Sequence, residues 1–201
     1  MTPRAKLLRT LAVLAGGLVI GVAIGVFAFY PELLPRLSFA GAALSAPVPA
    51  AQSAGNQADP VIGQAAPDFT LKTLDGNEVT LSDLRGQAVL INFWASWCGP
   101  CRLEMPELVA AYETYRADGF VILAVNLTFQ DSLPDVKAFA QEFNLPFPVL
   151  LDETGEVTNT LYRLRGLPTS IFVGRDGVIR RVYLGAMTGE KVAEYVQEIV
   201  K

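Results

Sequence analysis

Histidine is missing from all 201 residues, and cysteine occurs only twice, as Cys98 and Cys101. The first absence excludes Cys–His nucleophilic dyads, histidine-ligated zinc or copper, and haem held by an imidazole. Two thiols cannot complete a four-ligand structural zinc site alone, so neither a metal nor an organic cofactor is expected. Charge is absent locally too: no Asp, Glu, Lys or Arg falls between Leu11 and Tyr30. Positive excess is absent from the rest, since Asp59 to Lys201 holds 12 Lys/Arg against 19 Asp/Glu, a net charge of −7. A segment that acidic has no electrostatic footprint for nucleic acid or for anionic lipid.

What is present divides the chain into four parts. Residues 1–10 carry Arg4, Lys6 and Arg9 without an acid. The uncharged run 11–30 has the length to cross a bilayer core as a helix, at about 1.5 Å per residue over about 30 Å. Basic residues before such a span keep the N-terminus in the cytoplasm and send the remainder across. A cleaved signal peptide is the alternative. Its apolar core is usually shorter, however, and small-residue sites such as Ala43-Leu44-Ser45-Ala46 lie well beyond this run. Residues 31–60, rich in Ala, Pro, Ser, Gly and Gln, read as a flexible tether. Residues 61–201 remain as one extracytoplasmic domain on a single-pass anchor in the cytoplasmic membrane.

Within that domain the patterning predicts an α/β fold. A hairpin of 68–72 and 78–81 turns through Asp75-Gly76-Asn77, and Ala88 to Trp94 is a short apolar run expected of a buried strand. A helix is predicted from about Pro100 to Arg116, with Leu103, Leu108, Ala111, Tyr112 and Tyr115 as its apolar face and Pro106 kinking it. A strand at 120–127, a helix at 131–143 capped by Asp131 or Ser132, and strands at 147–151, 170–173 and 178–184 follow. A helix from Thr188 to Val200 closes the chain. Strands alternating with helices, then a hairpin, imply a mixed sheet with helices on both faces.

The two cysteines stand three apart where a strand gives way to a helix. A thiol at a helix N-terminus faces unpaired N–H groups and the positive end of the dipole, which favour thiolate, the attacking species in disulfide exchange. Cys98 is thus expected as the exposed nucleophile and Cys101 as the resolving thiol, with Pro100 stiffening the turn. The alternative is a static staple. A loop this short would constrain little of the unfolded chain.

Phe93-Trp94-Ala95-Ser96-Trp97-Cys98-Gly99-Pro100-Cys101 resembles the active-site strand and turn of thioredoxin-fold proteins, and Gly166-Leu167-Pro168-Thr169 resembles their cis-proline loop. Ala66-Pro67-Asp68-Phe69 and Leu81-Ser82-Asp83-Leu84-Arg85-Gly86 look like the N-terminal β-hairpin extension of the TlpA and ResA kind of membrane-anchored oxidoreductase, redoxins related to the AhpC/TSA group. The resemblance covers about residues 62 to 200. It implies a thioredoxin-like fold and a thiol-disulfide oxidoreductase, mostly a reductase, with Cys98 and Cys101 catalytic. Trp97, Gly99, Pro100, Glu104, Leu167 and Pro168 would support them. Pro168 would be cis, against a trans turn proline, and Leu167 would offer its backbone to substrate. Trp97 would shield the pair, against ordinary packing. Glu104 would tune its protons, against a solvated first-turn charge. Asn92 stands where thioredoxins proper usually carry a buried aspartate, in keeping with the membrane-anchored group. The implied partners are protein disulfides, with apocytochrome c cysteines among them in cytochrome c maturation, and a membrane-embedded electron donor of the CcdA/DsbD kind. The fold's default state is a monomer.

Competing functions leave their own signatures. A peroxiredoxin-like peroxidase would carry Thr or Ser three residues before its cysteine, where this chain has Ala95. A copper carrier of the Sco kind would need a histidine and wider cysteine spacing. A disulfide-donating oxidase usually has a histidine inside the pair, whereas Gly99-Pro100 resembles the reducing side. A purely structural docking domain would be indifferent to loss of Cys98.

Overall fold

Seven consecutive buried residues, Ala88–Trp94, form β3, the strand on which everything else is hung. The computed structural model describes residues 60–201, so the expected basic N-terminus, membrane span and nearly all of the tether lie outside the described residues. Among the described residues no helix is long and apolar enough to cross a membrane.

Before β3, β1 (Thr70–Thr73) turns at Gly76, at a φ of +82° that glycine adopts without strain, into β2 (Glu78–Thr80). After β3 come α1 (Gly99–Tyr115), β4 (Phe120–Asn126), α2 (Leu133–Glu142) and β5 (Val149–Leu151). Then β6 (Thr169–Val173), β7 (Ile179–Leu184) and α3 (Gly189–Ile199) complete the chain. The seven strands lie in the order β2-β1-β5-β4-β3-β6-β7. β3, β4 and β5 run parallel, and the remaining pairs are antiparallel. This is a thioredoxin-like mixed sheet with an N-terminal hairpin at one edge.

Helical cover lies on both faces but differs in kind. The crossovers β3–α1–β4 and β4–α2–β5 step the same way along the sheet, so a common handedness places both helices on one side. Met105, Leu108, Val136, Phe139, Val192 and Val196 from the three α-helices share one core with Leu90, Trp94 and Phe172. Opposite, Val89, Ile91, Phe93 and Ile171 pack under Phe69, Leu81, Val157 and Tyr162. That second face is roofed by the N-terminal extension and by a π turn, Glu156–Leu161. Tyr162 ties the two together, donating its hydroxyl to the Pro67 carbonyl at 2.8 Å.

Caps fall largely where the side-chain chemistry places them. Ser132, rather than Asp131, caps α2 by accepting from the Asp135 amide, and Thr188 caps α3 by accepting from the Lys191 amide. The expected face of α1 is corrected at one position: Leu103 is 76% exposed, and the buried side runs through Cys101, Glu104, Met105, Leu108 and Ala111. A buried carboxylate rotates the true interface away from the face that the apolar pattern marks.

Candidate redox site

The register sets where the site forms. Phe93 of β3 faces Thr169 of β6 and Trp94 faces Asn126 of β4, so the loops leaving β3 and β4 and the loop entering β6 gather at one end of the sheet.

Cys98 is the N-cap of α1, with an extended backbone, and its Sγ accepts from the Cys101 amide at 3.2 Å. Gly99 and Pro100 occupy the first helical positions, both exposed, and proline there forfeits no helical hydrogen bond. Cys98 and Cys101 are joined as a disulfide. The expectation of an exposed Cys98 is corrected: it is 5% exposed and Cys101 1%. Their order of accessibility is as expected, but the first sulfur sits in the wall of a groove rather than on an open surface. That groove, about 460 Å³, is lined by Trp97, Cys98, Phe129, Leu164 and Leu167 among others. Trp97 is 58% exposed and its indole N–H donates to the Gln130 carbonyl at 3.0 Å, so it stands as one flank of the groove and not as core.

Opposite, the Leu167–Pro168 peptide is cis. The loop is braced on both sides, by Thr169 Oγ1 donating to the Gly166 carbonyl at 2.7 Å and by the Gly185 amide donating to the Pro168 carbonyl at 2.8 Å. Leu167's own N–H and C=O have no hydrogen-bond partner among the described residues. They remain available to a strand laid in the groove.

Beneath the pair lies a polar thread in an apolar core. Asn92 Nδ2 donates to Ser170 Oγ at 3.0 Å, and Ser170 Oγ donates to Glu104 Oε1 at 3.2 Å. Glu104 is 1% exposed, which rules out the solvated-charge reading, and its Oε2 has no partner among the described residues. Burial pushes the Glu104 carboxyl up to about 7, and the Ser170 hydrogen bond offsets only part of that. A carboxyl one helical turn past Cys101 that exchanges its proton near neutral pH is chemically suited to thiol work.

Sequence reasoning missed Asp131. Its carboxylate accepts from the Ser96 amide at 2.7 Å, the Ser96 hydroxyl at 2.5 Å, Asn126 Nδ2 at 2.9 Å and the Ser132 amide at 2.9 Å. Partial burial raises its pKa, but the hydrogen bonds from Asn126 and Ser96 outweigh that and hold the carboxyl below its usual range. Asp131 thereby pins the turn that carries Trp97 and Cys98 to the loop after β4. The signal was an acid in the loop after β4; its partner lies 35 residues away, beyond any local pattern.

Ala95 is fully buried, and its carbonyl accepts from the Cys98 amide, so no side-chain hydroxyl stands there to orient a peroxide. Among the described residues no cluster of three or more Cys, Asp or Glu is placed to hold a metal.

Known proteins are similar to this chain in sequence and fold. The AhpC/TSA family profile matches residues 62–182. The thiol-disulfide oxidoreductase ResA of Geobacillus thermodenitrificans is 38% identical over 138 residues, covering 69% of this chain and 78% of that protein. The thioredoxin-like protein YneN of Bacillus subtilis is 42% identical over 133 residues, covering 66% and 76%. Among solved structures, a putative thiol:disulfide interchange protein DsbE from Chlorobium tepidum superposes with a TM-score of 0.64 at 34% identity, over 70% of this chain and 99% of that one. With a disulfide of CxxC spacing at a helix N-terminus facing a cis-proline loop, this chain belongs to the AhpC/TSA family as a ResA-like, thioredoxin-fold thiol-disulfide oxidoreductase.

Proposed function

We propose that the protein is a membrane-tethered, extracytoplasmic reductase of protein disulfides, with Cys98 as nucleophile and Cys101 as resolving thiol. The single observation that carries the direction of electron flow is the buried Glu104 one turn beyond Cys101. No cation or histidine stands inside the pair to stabilise thiolate, and an acid beneath it disfavours a second negative charge. Destabilised thiolates favour the disulfide form, and a pair that prefers to be oxidised is a good reductant.

In the cycle, the Cys98 thiolate attacks one sulfur of the substrate disulfide, and the other sulfur leaves as a thiolate that takes up a proton. Cys101 then gives its proton to Glu104 or water and attacks Cys98 Sγ. The second substrate thiol is released and the pair is left oxidised, two electrons having passed to substrate. The oxidised pair requires an external dithiol to restore it. The basic residues 1–10 and the uncharged run 11–30 support a membrane anchor, and hence a membrane-embedded donor of the CcdA/DsbD kind. Tethering by residues 31–60 would keep a monomeric domain near that donor. Similarity to the thiol-disulfide oxidoreductase ResA supports thiol-disulfide exchange, and apocytochrome c cysteines, which the TlpA and ResA resemblance implies, are proposed among the substrates.

The test is the equilibrium reduction potential of the pair, titrated with thiol alkylation as readout. A value near that of thioredoxin, about −270 mV, or lower supports the reductase. A value near about −120 mV, as in strong oxidants, would reverse the electron flow and make the protein a disulfide donor.

A further inference from the structure

A second groove, about 220 Å³, opens on the other side of the loop that bears Leu167 and Pro168. It is lined by Pro60, Tyr162, Arg163, Leu164, Val182 and Leu184 among others, and shares Leu164 with the cysteine groove. Its floor is one face of β7, an edge strand. Only the start of that edge is covered: the Gly63 amide donates to the Ile179 carbonyl, and the Ile179 amide to the Gln64 carbonyl, both at 2.8 Å. Towards Leu184 no described segment pairs with it. Val182 and Leu184, alternate residues of this edge, are 36% and 57% exposed.

The edge leads to the redox site. Leu184 is paired with Thr169, and the next residue, Gly185, donates to the Pro168 carbonyl. The Leu184 Cδ1 atom lies 3.3 Å from where a Cβ on Gly166 would stand, so strand end and cis-proline loop are in contact. Charge singles out the same place. Arg180 and Arg181 are neutralised by Asp176 and Glu198, whereas Arg163 is exposed and has no ion pair among the described residues. Arg163 also holds a φ of +46°, a left-handed backbone that glycine would occupy about 1 kcal/mol more cheaply.

We propose that the edge of β7, left unpaired by the described residues towards Leu184, and its groove form a second subsite, which binds in extended form a segment of the substrate protein alternating apolar and acidic side chains. The backbone edge supplies hydrogen bonds, Val182 and Leu184 receive the apolar side chains, and Arg163 meets an acid. The subsite deepens the reductase reading and depends on it.

The test uses the full chain with dithiothreitol as electron donor. Two peptides each carry one intramolecular disulfide, a short spacer, and a stretch alternating valine with either glutamate or lysine. The acidic peptide is expected to show a KM about threefold to fivefold lower than the basic one, as one or two exposed charge pairs allow. Arg163→Glu, equally strained at that backbone, is expected to reverse the preference. Val182→Asp is expected to raise KM for the acidic peptide, and both variants should reduce oxidised glutathione like the parent. Equal KM values for the two peptides, unchanged in Arg163→Glu, would overturn the subsite alone, as would happen if the chain's own preceding segment filled the groove. A dimer in sedimentation that Val182→Asp dissolves would give the face to a second copy and also overturn it. No turnover of either peptide or of glutathione would refute the reductase and the subsite together.

Discussion

Replacing Glu104 by glutamine keeps the volume and removes the charge, and the resulting change in stability can be worked out from the site. In the unfolded chain the carboxyl titrates at its ordinary value of 4.5, and in the fold at about 7. The folded value is the higher one, so the native state holds the proton more tightly. The stability this contributes is complete below about pH 4.5 and is lost as pH rises through about 7. The gap between the two values corresponds to about 3 kcal/mol. Glutamine cannot ionise and pays none of it. Calorimetry of the oxidised full chain, parent against Glu104→Gln, from pH 4.5 to 8.5 reads the difference directly, because every other titrating group is common to both. The two should melt close together near pH 5. By pH 8 the variant should melt higher by about 10 °C, for about 3 kcal/mol in a domain of this size. Ser170→Ala removes the one hydrogen bond that lowers the Glu104 pKa, so the decline should shift to higher pH. A melting difference that stays flat from pH 5 to 8 would show that Glu104 finds a counter-charge or water when ionised, so that burial does not raise its pKa.

Asp131→Ala should loosen the Ser96–Cys98 turn and lower stability by about 2 kcal/mol, the range for hydrogen bonds to a charged acceptor. Because the Asp131 carboxyl is held below its usual range, its contribution is present above the ordinary carboxylate pKa and is lost as pH falls through the depressed one. The gap between parent and variant in a urea titration should therefore narrow in acid. Arg175 donates to the carbonyls of Gly86, Asp118 and Val200, closing the end of the sheet remote from the cysteines. Arg175→Ala should lower the urea midpoint by an amount equivalent to about 2 kcal/mol while leaving the reduction potential unchanged.

Much of the fold was legible because short-range chemistry and long-range packing agree. Ala88–Trp94 reads as a buried strand and is one. Gly76 and Gly177 mark turns, at φ of +82° and +77°. Cys98 and Cys101 stand where strand becomes helix, and Leu167–Pro168 is cis as the resemblance implied. What could not be read depends on partners distant in sequence. Leu103 satisfies the helical apolar pattern but points outward, because Glu104 takes the inward position and is held there by Ser170, 66 residues away. Asp131 looks like a cap, and Ser132 takes that role while Asp131 reaches back to Ser96. The π turn at Glu156–Leu161 has too short and mixed a pattern to show a period. Cys98 is more covered than helix-end placement alone implies, since Trp97 and Leu167 wall its groove.

The unlike cover on the two faces of the sheet has a consequence for how such a protein can change. One jaw of the redox site, Cys98 and Cys101, is mounted on the layer built from the α-helices, while the approach to the other, Leu164 to Leu167, leaves the opposite layer just after Tyr162. The jaws are carried on adjacent strands, β3 and β6, and are also joined by Leu167, which packs against both layers, and by the Ser170–Glu104 hydrogen bond. Substitutions that repack the layer remote from the cysteines can therefore reach them by two direct routes, through Leu167 and through Ser170. Electron affinity and the grip on a client are thus coupled, since residues in contact do not act additively.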